Sequence, residues 1–118
     1  MFEKMQLDLP EGQYEIGKVV DDVDKLSVEI LLDDQSLELF FEEKVLLRLM
    51  NESVATYNLM EGCDPNWPLY IAEKDTEFLN FFFDQTGEVY RDWGYKHVRI
   101  FGQEEIVDVI TTDAPKLK

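Results

Sequence analysis

Residues 25–50, KLSVEILLDDQSLELFFEEKVLLRLM, hold the pattern that decides the fold. Leu26, Val28, Ile30 and Leu32 recur at every second position, the period of a strand buried on one face. Asp33-Asp34-Gln35-Ser36 supplies turn chemistry, because short polar side chains bond their own backbone. In the next run Leu37, Leu39 and Phe41 alternate with Glu38, Phe40 and Glu42. After a turn at Glu43-Lys44, Val45, Leu47 and Leu49 alternate with Leu46, Arg48 and Met50. Three short strands joined by tight polar turns predict an antiparallel meander. Such a sheet buries one face and wets the other, which assigns Glu29, Glu38, Glu42 and Arg48 to the wet side.

Working outward, QYEIGKVV (residues 13–20) gives a modest strand signal interrupted by Gly17, and Asp21-Asp22-Val23-Asp24 turns the chain. Residues 54–60 (VATYNLM) fit a helix or an extended run equally. Residues 61–68 (EGCDPNWP) read as a loop bracketed by prolines and a glycine, and PLYIAEK as a strand. Residues 75–93, DTEFLNFFFDQTGEVYRDW, contain four of the eight phenylalanines and one of the two tryptophans. Asp75 or Thr76 can cap a helix there, Glu77 complements its positive end, and Trp93-Gly94 supplies a stop.

At about 100° per residue, Phe78, Leu79, Phe82, Phe83, Thr86, Val89, Tyr90 and Trp93 fall within an arc of roughly 140°, predicted to pack on the sheet. Phe81 falls outside that arc, beside Asn80, Asp84, Gln85, Glu88 and Asp92. It either touches the Trp67 loop or stands as an exposed anchor among acids. YKHVRIF and IVDVIT then form a terminal hairpin, with a short helix from Gln103 as the alternative for residues 103–111. Residues 112–118 are expected to fray. The fold class is therefore α+β: one domain over residues 1–118, an antiparallel sheet (meander plus C-terminal hairpin) with one main amphipathic helix on one face.

The chain has 118 residues, 26 acids against 11 Lys and Arg, and a net charge of −15. Residues 1–50 carry 13 acids and 5 bases and residues 51–118 carry 13 and 6, so neither half owns the charge. Such a field repels nucleic-acid phosphates and anionic lipid, which argues against direct nucleic-acid or membrane binding. It speeds encounter with a basic protein, although solubility alone also accounts for it. Cys63 is the only cysteine, which excludes an internal disulfide. No signal-like leader or apolar run of membrane length occurs, and the expected location is the cytoplasm.

Catalytic patterns are sparse. His97 is the single histidine, and as a base it would need Cys63 or a serine beside it; a surface or half-buried strand histidine is the simpler account. Asp21, Asp22 and Asp24 lack the glycine and ligand spacing of a calcium loop, and a solvated acidic turn is expected there. Adjacent carboxylates such as Glu42-Glu43 point to opposite sides of a strand. No phosphate-binding glycine loop is present. No catalytic residue, metal or cofactor is assigned.

The meander ending FFEEKVLLRLMNES, the step PLYIAEKDTEFLNFF and the closing HVRIFGQEEIVDVIT give a layout that resembles small acidic immunity proteins of bacterial polymorphic-toxin systems. That resemblance implies a non-catalytic protein that neutralises a basic toxin or nuclease. Charge and sequence position make Phe81, Asp84, Glu88 and Asp92 the candidate contacts. A second reading is a ligand-binding domain or small enzyme with an aromatic pocket of Tyr70, Tyr90, Trp93 and His97 between helix and sheet. A third is a homo-oligomer such as a homodimer, in which a second copy covers Phe40.

Overall fold

A computed structural model describes residues 2–51 and 63–118; the ambiguous residues 54–60 lie outside them. The strands are β1 (Glu3–Lys4), β2 (Glu15–Asp22), β3 (Lys25–Leu32), β4 (Gln35–Phe41), β5 (Lys44–Asn51), β6 (Leu69–Ala72), β7 (Lys96–Phe101), β8 (Glu105–Thr111) and β9 (Lys116–Leu117). Helix α1 (Glu77–Thr86) and a 3₁₀ helix (Glu88–Trp93) lie between β6 and β7. All pairings are antiparallel, so the α+β class with an antiparallel sheet and one main helix holds. No helix among the described residues is long and apolar enough to cross a membrane.

The strands divide between two sheets, in the orders β1-β6-β7-β8-β5 and β2-β3-β4-β9. The predicted meander is therefore only half right. β3 and β4 pair as the meander requires, Val28 opposite Leu39, but β5 leaves β4 and pairs with β8, Leu49 opposite Val107. Period two fixes which side chains share a face and not which strand lies alongside. VLLRLM is apolar in both phases, and at this sheet edge Leu47 packs in the core between the sheets and Leu46 with the α1 residues, while Val45 and Leu49 stay exposed. β8 is also apolar in both phases, and Ile106 through Thr111 are all buried.

One face of the five-stranded sheet contributes Leu69, Val98, Ile100, Val107 and Val109 to a core shared with Leu26, Val28, Ile30, Leu39 and Phe41 of the other sheet. On the opposite face Ile110 packs with Phe78, Leu79, Phe82 and Phe83 of α1. Thr76 caps α1 by accepting the Leu79 N–H at 3.1 Å. The helix stops at Thr86, earlier than predicted, because Gly87 adopts φ 107°, ψ 150°, a region closed to side chains. Beyond it the 3₁₀ helix turns three residues at a time, which breaks the phase of the apolar arc. Phe78, Leu79, Phe82 and Phe83 are buried as predicted, whereas Thr86, Val89 and Trp93 are exposed, Val89 at 70% and Trp93 at 60%.

The segment expected to fray is pinned instead. Pro115 is buried, Leu117 pairs with Leu39, and the Lys118 N–H bonds the Glu38 carbonyl at 2.9 Å. The Lys118 ammonium sits 4.4 Å from the Phe40 ring centroid, so a side chain of this same chain lies over the residue assigned to a second copy. Gly17 marks a register shift in β2, where the Glu29 carboxylate folds back to accept the Lys18 N–H at 3.1 Å.

Candidate functional site

The densest polar cluster lies on the α1 face of the five-stranded sheet. β7 places His97 and Arg99 on that face, β8 places Asp108 opposite Arg99, and β5 places Arg48 opposite Asp108 on the other side. Asp108 is fully buried and is the hub. Its Oδ1 accepts from His97 Nε2 at 2.6 Å and from Arg99 Nε at 2.7 Å. Its Oδ2 accepts from Arg48 Nη2 at 2.9 Å, and Arg48 Nη1 reaches Glu77 of α1 at 3.1 Å.

Aromatic rings close the cluster. Arg48 lies 4.3 Å from the Phe78 centroid and Arg99 4.7 Å from that of Phe2, while both rings meet His97 edge-on. His97 Nδ1 lies 2.8 Å from Thr76 Oγ1. An ionised Asp108 can only accept, so Nε2 carries a proton. With His97 neutral, Thr76 then donates to Nδ1 while its oxygen accepts the Leu79 N–H. Every polar atom in this row is satisfied, and no buried side-chain nitrogen or oxygen among the described residues lacks a partner.

Burial pushes the His97 pKa down; the Asp108 hydrogen bond opposes this, and the Arg99 and Arg48 charges reinforce it, leaving it below the ordinary value. Burial pushes Asp108 up, but hydrogen bonds from His97 and Arg99 overcome it and hold the carboxyl well below the usual range. His97 is thus a fully buried member of this network, not the surface or half-buried histidine expected. Arg48 likewise leaves the wet side assigned to it, because its guanidinium is spent on Asp108. Both His97 nitrogens are occupied, leaving none for Cys63, whose thiol is pushed up by burial and only partly offset by Arg99.

The residues predicted to meet a partner lie outside this network. Phe81 is 49% exposed on the outer side of α1, and Asp84 is exposed on the same helix. Glu88 and Asp92 are exposed on the 3₁₀ helix, with Glu88 bound to Arg91. The four residues of the aromatic-pocket reading make separate contacts. Tyr90 and Trp93 stack edge-on at 4.8 Å, His97 packs with Phe2 and Phe78, and Tyr70 meets Phe101 at 5.6 Å and bonds the Asp64 backbone.

Among the described residues, one surface cleft of about 290 Å³ lies around Tyr14, Pro68 and Phe101 and another of about 390 Å³ over Glu29 and Glu38; neither is lined by any of those four. Among the described residues no group of His, Cys, Asp and Glu is placed to hold a metal ion. Sequence reasoning missed Asp108, Arg99 and Arg48 as a unit. Their signal was each charge standing in phase with an apolar neighbour two residues away: Ile106 and Ile110 beside Asp108, Phe101 beside Arg99, Leu46 and Met50 beside Arg48.

Thus the geometry defines an α+β protein of two antiparallel sheets, with a helix latched to the larger one through a buried carboxylate hub. Comparison with family models, curated proteins and solved structures gives no match.

Proposed function

We propose that this chain is a non-catalytic binding protein, an immunity-type inhibitor that neutralises a basic toxin or nuclease in the cytoplasm through an acidic surface. The observation that carries this reading is the distribution of charge. Lys4, Lys44, Arg48, Arg91, Arg99 and Lys116 are all engaged by the chain's own carboxylates. With 26 acids against 11 bases, the remaining exterior is strongly negative. On the helical segment Asp75, Glu77, Asp84, Glu88 and Asp92 are exposed, and so are Phe81, Val89 and Trp93.

An exposed aromatic on a segment rich in carboxylates suits a basic surface with an apolar recess, since rings supply most of the energy and charges supply steering. The test is co-purification of a basic partner from the native host, then affinity measurement against salt. Affinity should fall steeply as salt rises, and Phe81→Ala should weaken binding about tenfold or more, the loss of a hot-spot contact. Binding indifferent to both salt and Phe81→Ala would reject this reading.

A further inference from the structure

We propose that His97 is an acid-operated latch: taking a second proton releases the N-terminal turn of α1 from the five-stranded sheet while the four-stranded sheet stays folded. The hydrogen bonds form one chain from the sheet to the helix backbone. Asp108 on β8 accepts from His97 Nε2, Thr76 Oγ1 bonds Nδ1, and the same oxygen caps α1 at the Leu79 N–H. This chain is complete only with a neutral imidazole. A proton on Nδ1 turns that nitrogen into a donor, and Thr76 must then accept from His97 as well as from Leu79, leaving its own hydroxyl proton without its partner.

Charge opposes the second proton equally. The charged groups facing the ring are Asp108 from β8, Arg99 from β7 and Arg48 from β5, with Glu77 of α1 joined through Arg48. β6 contributes the uncharged Ala72 opposite His97, and the N-terminal segment and α1 contribute the Phe2 and Phe78 rings. Two carboxylates and two guanidiniums cancel around a neutral imidazole. Protonation leaves one uncompensated positive charge in a site without solvent, and burial of such a charge is strongly unfavourable. Its low-cost escape is to lift α1 away, because Thr76 and Phe78 are the lid on that side and their removal brings water to Nδ1.

The test uses amide hydrogen exchange of the whole chain between pH 7.5 and 5, expressed as protection relative to the unfolded peptide. NMR titration of the single histidine runs in parallel. Opening that exposes His97 restores its ordinary pKa, so protection at Leu79 and Asn80 should fall about tenfold per pH unit below about 6.5. Val28 and Leu39 amides in the four-stranded sheet should keep theirs. His97→Gln, which cannot take up a proton, should remove the pH dependence at Leu79. The proposal is overturned if Leu79 protection is flat over this range, if it falls only in step with Val28 and Leu39, or if it falls equally in His97→Gln. Should that variant not fold, the comparison of Leu79 with Val28 in the unaltered chain still decides.

Discussion

Asp108 accepts from three cationic or potentially cationic side chains and is exposed to no solvent, so its removal has consequences that a surface acid lacks. Asp108→Asn keeps the shape but leaves Arg99 without its counter-charge and Arg48 with Glu77 alone. Breaking such a buried pair typically costs about 3–5 kcal/mol, and urea unfolding should register that loss. Thr76→Val keeps the volume and removes both the cap and the Nδ1 partner; a lost cap alone costs about 1 kcal/mol. Acid acts through the same residues. Both His97 and Asp108 have folded-state pKa values below their unfolded ones, so each contributes stability at high pH that is lost as pH falls. The His97 part should begin to disappear below about pH 6.5 and the Asp108 part below about pH 4. An unfolding midpoint that rises on acidification from pH 7 to 5 would contradict this sign.

At the scale of elements, the boundary at Gly87 matters most. It ends α1 after one amphipathic face has been buried and turns Val89 and Trp93 outward. A Cβ at Gly87 meets nothing within 4 Å, so Gly87→Ala has no steric cost beyond its backbone. The strained φ should cost about 1–3 kcal/mol, measurable by thermal unfolding. At Gly102 the reason differs. A Cβ there lies 2.6 Å from Ile16 Cγ1 and 2.9 Å from the Ile16 backbone nitrogen, so Gly102→Ala forces the two sheets apart. The element types were largely legible: the β3–β4 hairpin, β6, α1 and the β7–β8 hairpin all stand where periodicity and caps place them. The extent of α1 was not, because a helical wheel assumes one pitch, and the chain changes pitch at Gly87.

For the molecule as a whole, the net charge of −15 sets the long-range behaviour. Like charges on a compact surface repel, and salt screens them over about 8–10 Å near physiological ionic strength. Unfolding midpoints in urea should therefore rise between about 10 mM and 150 mM sodium chloride. The Asp108 network, shielded from solvent, should contribute the same increment in both, so the Asp108→Asn difference should be nearly independent of salt. A midpoint that falls with added salt would show that surface pairs such as Lys4–Asp64 and Lys44–Asp21 outweigh the repulsion.

The amino-acid order by itself determined the local facts: which residues alternate, where turns and caps fall, that Phe78, Leu79, Phe82 and Phe83 share a buried face, and that the exterior is acidic. These depend on neighbours within a few positions, where the backbone period dictates direction. Tertiary structure alone decided that β5 crosses to β8, that the C-terminal residues close the second sheet, and that Arg48, His97, Arg99 and Asp108 meet under α1. Those contacts join positions as distant in sequence as Leu39 and Leu117, and a strand's pattern specifies a face without naming the strand beside it.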